Sequence, residues 1–246
     1  MNNITYVFSG NRKNRFYEKD YEAAEFFYGL EIFNNQKYNL KIIEPKTQKF
    51  FGKQILKYLD TFFKKVINLP VYMFEYCSIE NIKILLKTDK LVLVNESTFC
   101  SLAFLLMLLK PFKKIDVYVF SMGLYSKKLR FPKLEKVHYW FISMFTRPTK
   151  HIFFLGQGEM QKALNVHPIH KEKFVLFPFF IDTNFWEGVD IDIEDRKNIL
   201  FVGNDGNRDP VMMINIIKHF KDIQFNVVSN LQEFSEIKLK NLKLFK

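Results

Sequence analysis

Eight short apolar runs punctuate the chain, at residues 4–8, 40–43, 91–94, 117–120, 152–155, 174–177, 199–202 and 225–228. Each is rich in Val, Ile, Leu and Phe and barely alternates with polar residues. A strand with one wet face alternates; a strand covered on both faces does not. Between most runs lie longer amphipathic segments, at 18–33, 50–67, 79–86, 98–109, 133–145 and 209–220. Strand and helix in repeated succession imply βαβ units, right-handed crossovers and a doubly wound sheet. The expected fold class is therefore α/β, with five or more parallel strands in a Rossmann-like first domain.

In such sheets, ligands bind outside the carboxyl ends of the strands. The loops that follow the runs are thus the places to look for chemistry. They are Ser9-Gly10-Asn11, Asn95-Glu96-Ser97, Ser121-Met122-Gly123, Gly156-Gln157-Gly158-Glu159 and Gly203-Asn204-Asp205-Gly206. The pattern also divides the chain. An acidic, irregular stretch follows Trp186, and the strand pattern restarts at Asn198. The expected organisation is a first domain over 1–180, a linker over 181–197 and the first βαβ unit of a second Rossmann-like domain over 198–246.

The last of these loops joins a strand to a helix. Glycine there lets a phosphate approach the backbone, and the next helix presents free N–H groups with a partial positive charge. Arg208 adds a planar donor fork suited to a diphosphate. Gly203, Asn204, Asp205 and Arg208 are therefore the candidate diphosphate-binding residues, with Gly10 in the first cleft loop. The competing reading is a plain turn with Asp209 capping a helix at Pro210. Glu96 and Ser121 follow buried strands and are the candidates to orient or deprotonate an acceptor hydroxyl, with Ser97 and Tyr125 beside them. Ser97 as a helix cap is the plainer alternative. Gly156-Gln157-Gly158 lacks the third glycine of a dinucleotide fingerprint and reads as a turn. His167 and His170 flank Pro168, with no carboxylate or cysteine cluster adjoining, so no metal is expected there.

The segment Lys173-Phe174-Val175-Leu176-Phe177-Pro178-Phe179-Phe180-Ile181-Asp182-Thr183-Asn184-Phe185-Trp186 resembles a signature of the GT4-like, GT-B glycosyltransferases. Pro178, Ile181-Asp182 and Phe185 would be its proline turn, aliphatic–Asp pair and aromatic. The restart at Asn198, ending in Gly203, and the Arg208-Asp209 pair fit the same pattern, as does Glu159 opening a helix. The resemblance implies transfer of a sugar from a nucleotide-sugar donor to a glycan or lipid-linked acceptor, without cofactor or metal. The chain departs from the pattern in two loops: the first lacks paired glycines, and Ser121-Met122-Gly123 carries no histidine. The family's paired glutamates would lie past Lys246, so the 246-residue chain alone is not expected to turn over. A non-catalytic remnant, or one subunit of a split enzyme, is the alternative.

Charge is unevenly spread. Residues 1–180 hold 28 Lys/Arg and 15 Asp/Glu, and residues 181–246 hold 9 and 11. Such a basic first part can attract nucleic acid, anionic lipid or phosphorylated substrates. Its basic residues form no recognisable nucleic-acid motif, so a nucleic-acid partner is not expected. Two cysteines cannot build a disulfide framework, and the start of the chain carries no signal-peptide pattern, which fits a cytoplasmic setting. The 49–65 segment, bounded by Lys49 and Lys65, places Lys53, Lys57 and Lys64 opposite Phe51, Ile55, Leu59, Phe62 and Val66. This is a basic amphipathic helix. Its apolar side is expected in the core, with peripheral docking on an anionic membrane as the alternative.

Overall fold

The computed structural model describes residues 3–18, 23–36, 38–46, 53–127, 129–187, 198–204 and 208–245. The chain divides into two compact units, Met1–Glu187 and Gly188–Lys246.

The first unit is built on six strands: β1 (Asn3–Val7), β2 (Asn39–Ile43), β3 (Lys90–Leu93), β4 (Asp116–Ser121), β5 (Thr149–Phe154) and β6 (Phe174–Leu176). They form one sheet in the order β2-β1-β3-β4-β5-β6, with every pairing parallel. Non-alternation has the expected cause. Leu91, Val92, Leu93 and Val94 are all buried, because both faces of the sheet are covered. On one face α1 (Arg12–Glu18) and α2 (Leu30–Asn35) flank a core of Ile4, Tyr6, Phe27, Leu30 and Val92. On the other lie α3 (Lys53–Phe62), α4 (Met73–Tyr76), α5 (Ile79–Lys87), α6 (Glu96–Leu109), α7 (Glu135–Thr146) and α8 (Gln157–Val166). Phe63, Phe99, Phe104 and Phe145 interlock beneath them at ring separations of 4.9–6.5 Å.

Two sequence expectations need correction here. The 18–33 segment is not one helix. It holds the end of α1, a 3₁₀ turn at Ala24–Phe27 and α2, because Tyr28 and Gly29 take φ of 52° and 77° and break the α path. The α3 helix also faces the other way from expectation. Asp60 is buried and accepts hydrogen bonds from the N–H groups of Met73 and Phe74, 2.8 and 3.1 Å away, at the start of α4. With that carboxylate turned inward, Ile55, Tyr58, Leu59 and Phe62 face solvent, at 66%, 75%, 41% and 46% exposure. The helix reaches the core through the partly buried Leu56 and through the π turn that continues it, Phe63–Ile67, where Val66 packs as expected. Lys49 and Phe51 lie outside the described residues.

The second unit contains β7 (Asn198–Val202), α9 (Pro210–His219), β8 (Gln224–Val228), α10 (Gln232–Ser235) and β9 (Leu242–Phe245). The three strands are parallel, in the order β7-β8-β9. Only two strands are expected from the sequence, and β9 is the addition. It is an edge strand with alternating burial, so its Leu-Lys-Leu-Phe sequence lacks the buried-strand signal. Ile214, Ile217, Phe225, Val227 and Phe234 form this unit's core.

Candidate functional site

In the first unit the chain leaves β1 toward β2 on one side, while β3 and the later strands extend on the other. The loops after β1 and β3 therefore open beside one another, where a doubly wound sheet forms its ligand crevice. The first of these loops is held from below by the buried Tyr76, whose hydroxyl donates to the Phe8 carbonyl at 3.1 Å. At Gly10 no heavy atom lies within 4 Å of where a Cβ would stand, so the crevice wall is open there.

The loop after β3 starts α6 with a reciprocal cap. Asn95 Oδ1 accepts from the Thr98 N–H, and the Thr98 hydroxyl lies 3.4 Å from the Asn95 N–H. The cap is thus Asn95, not Ser97, whose hydroxyl donates to Asn95 Oδ1 at 2.7 Å. Glu96 sits in the first turn of α6. Its side chain is 15% exposed, and Lys127 Nζ stands 3.6 Å from Oε1. Its Oε2 is buried without a hydrogen-bond partner. Buried carboxylate oxygens are ordinarily satisfied, so this oxygen is an exception among the described residues. Tyr28 also bounds this corner. Burial raises its phenol pKa most strongly, with Arg12 lowering it and Glu96 raising it.

Ser121 and Tyr125 are placed differently. Ser121 is fully buried and donates its hydroxyl to Glu159 Oε1 at 2.8 Å. The same oxygen accepts the N–H groups of Gly123 and Tyr125, at 3.0 and 3.2 Å. Glu159, in the first turn of α8, is therefore the organiser of the β4 loop, and Gly123 at φ 125° makes the turn possible. Tyr125 does not face the crevice: it is buried, and its hydroxyl lies 3.1 Å from His167 Nδ1.

Three of the five histidines are structural groups. His167 Nε2 lies 2.8 Å from the Tyr139 carbonyl, His170 Nε2 2.9 Å from Ser143 Oγ and His138 Nδ1 2.7 Å from the Ile67 carbonyl. Burial is the first cause that lowers all three pKa values. A folded-state pKa below the unfolded value gives stability that is complete above that unfolded value, about 6.5, and is lost as pH falls through and below it. The melting temperature is expected to fall between pH 7.5 and 5. His167→Gln, which cannot titrate, is expected to flatten that fall; an unchanged slope would remove His167 from the set.

The segment 181–186 folds back on the rest of the first unit. Asp182 accepts the N–H groups of Ala24 and Phe185, at 3.1 and 3.2 Å. Glu25 in turn accepts the Asp182 N–H at 3.0 Å and the Trp186 indole N–H at 2.6 Å. Burial pushes the Glu25 carboxyl up most strongly, but the hydrogen bonds from Trp186, its own backbone and Asp182 together bring it below its ordinary value. Sequence reasoning missed Glu25; its only signal was an acid inside the apolar run Ala23-Ala24-Glu25-Phe26-Phe27.

In the second unit, β7 ends at the buried Gly203. The Ser229 hydroxyl donates to the Gly203 carbonyl at 2.7 Å, and Asn204 Oδ1 accepts the Asn230 N–H, so the ends of β7 and β8 are tied. A Cβ on Gly203 would stand 2.9 Å from Cγ and Nε of Arg208. The glycine thus provides the floor across which Arg208 lies. Asp209 caps α9, accepting the Met212 N–H at 2.9 Å, with Pro210 in the first turn. Asp205 lies outside the described residues.

No protein-family model matches the sequence, and no curated protein matches it. Among solved structures, the catalytic domain of starch synthase IV from Arabidopsis thaliana, bound to ADP and acarbose, aligns with a TM-score of 0.57 at 10% identity. The alignment covers 100% of this chain and 74% of that one. The fold is GT-B. Within the GT-B fold, the crevice at β1 and β3 belongs to the first Rossmann-like sheet and the Gly203–Arg208 turn to the second.

Proposed function

We propose that this chain belongs to a glycosyltransferase that moves a sugar from a nucleotide-sugar to a glycan or lipid-linked acceptor, GT4-like in its sequence signature. The observation that carries the reading is the packing of Arg208 over Gly203 at the start of α9. A small residue at 203 leaves Arg208 lying beside the capped start of a helix, which is the chemistry a diphosphate needs. As the sugar–phosphate bond breaks, negative charge grows on the leaving diphosphate. The Arg208 guanidinium and the α9 N–H groups stabilise it, so the reaction calls for no metal or organic cofactor. On the acceptor side, Glu96 takes the proton of the attacking hydroxyl, and Lys127 steadies its other oxygen. Glu159, Ser121 and Gly123 position the wall of the crevice rather than react.

The test is calorimetric titration with UDP, GDP and ADP. Arg208→Ala is expected to weaken the bound diphosphate by about 1.5–3 kcal/mol, the range for a hydrogen bond to a charged group. Gly203→Ala should weaken it in the same direction, by displacing Arg208 from the turn. Unchanged affinity in Arg208→Ala would take the turn out of the donor site.

A further inference from the structure

The outward ridge of α3 is joined by exposed apolar side chains on α6 and α7. Phe62 contacts Phe63 at 5.6 Å between ring centroids, Phe63 contacts Phe141 at 5.0 Å and Phe141 contacts Trp140 at 4.8 Å. These contacts pass through the buried Phe63 and link α3 to α7, where Trp140 is 58% exposed. Between the two helices, Phe104 of α6 touches Phe63, and Leu108, one turn further along α6, is 70% exposed. Isolated exposed leucines are normal on a protein surface, but exposed aromatic and aliphatic side chains on three helices that meet over one buried ring, Phe63, mark a contact surface.

The character of the side chains selects the occupant. Tyr58 and Trp140 are the side chains that settle at a bilayer interface, with an apolar body and one polar atom. Cations stand with them: Lys65 is three residues on from Phe62, and Lys136 is one helical turn before Trp140. Lys57 and Lys64 flank the ridge, each held over a ring, Phe74 at 4.9 Å and Tyr72 at 4.1 Å. The first 180 residues carry an excess of 13 positive charges, so the whole unit is drawn toward an anionic surface. No helix among the described residues is long and apolar enough to cross a membrane.

We infer that the face made by α3, α6 and α7 docks on an anionic lipid bilayer, with Ile55, Tyr58, Leu59, Phe62 and Trp140 entering the headgroup region. The consequence rests on the transfer reading: a docked enzyme would take its acceptor from the lipid phase. The binding itself is read without turnover, so its failure is separable from failure of that reading.

The experiment is co-sedimentation of the 246-residue chain with vesicles of phosphatidylcholine containing 30% phosphatidylglycerol, beside vesicles of phosphatidylcholine alone. Wild type is expected to bind the anionic vesicles, and a Trp186→Phe background should show a blue-shifted Trp140 emission on binding. Tyr58→Ser/Phe62→Ser changes only exposed positions, and is expected to lower the partition coefficient at least tenfold with an unchanged melting temperature. Lys65→Glu and Lys136→Glu should each lower it on the order of fivefold, and added salt should act in the same direction. Absence of binding to both vesicles, equal binding to both, or unchanged binding by the double serine variant would overturn the inference. So would a self-association that Phe62→Ser abolishes, which would assign the face to a second copy of the chain.

Discussion

Glu96→Gln is expected to lower acceptor-dependent sugar transfer by about 10²–10⁴-fold, the usual contribution of a positioned general base. The assay needs a form of the protein that supports transfer, with wild type and variant compared in the same preparation. Glutamine keeps the size of the side chain and its place in the first turn of α6, but cannot take a proton. Affinity for the nucleoside diphosphate should stay at the wild-type value, because the donor turn lies in the other unit. Stability should not fall either. The carboxylate has one buried oxygen without a partner, and the desolvation cost removed by neutralising it offsets the loss of the partly exposed 3.6 Å pairing with Lys127. A large loss of nucleotide affinity, or transfer at the wild-type rate, would show that Glu96 is not the base.

Phe145→Ala is expected to be the costliest single change to the fold. Phe145 is fully buried, and it touches Phe99, Phe104, Phe63 and Phe141 at 4.9–6.5 Å between centroids. Removing its ring loses transfer energy and leaves a cavity under α6 and α7, about 3–5 kcal/mol together. For a unit of this size the melting temperature should fall by roughly 6–20 °C. Phe112→Ala is the control: Phe112 is 83% exposed, and its loss should stay within about 0.5 kcal/mol. Similar shifts for the two variants would mean that the aromatic cluster is not the centre of the core.

How far the sequence reveals this molecule depends on the range of the interactions. Strands such as β1 and β3 are legible because burial on both faces writes itself into consecutive residues, and β7 is legible from the same apolar run although Ile199, Leu200 and Val202 are exposed. The edge strand β9 is not, because Leu242 and Leu244 alternate with Lys243 and Phe245 in burial. The amphipathic pattern of α3 is legible, but which side faces the protein is not. Asp60 decides that through two N–H groups 13 and 14 residues away, and nothing local records the pairing. The same holds for the carboxylates that organise the loops. Glu159 meets Ser121 across 38 residues, and Glu25 meets Trp186 across 161. Gly203, Arg208 and Asp209 are close in sequence, and there the residue types alone anticipate the capped start of α9 and the glycine beneath Arg208. The candidate site is thus readable where its parts are local and hidden where tertiary packing assembles it.

The most direct test of the account is equilibrium binding of nucleotide-sugars to the 246-residue chain itself. Turnover is not needed, because the Gly203–Arg208 turn is within the chain. A panel of UDP-, GDP- and ADP-sugars should include at least one that binds saturably at one site, is displaced by the matching nucleoside diphosphate and is weakened by Arg208→Ala. Binding by no member of the panel, or binding that excess nucleoside diphosphate leaves undisturbed, would contradict it.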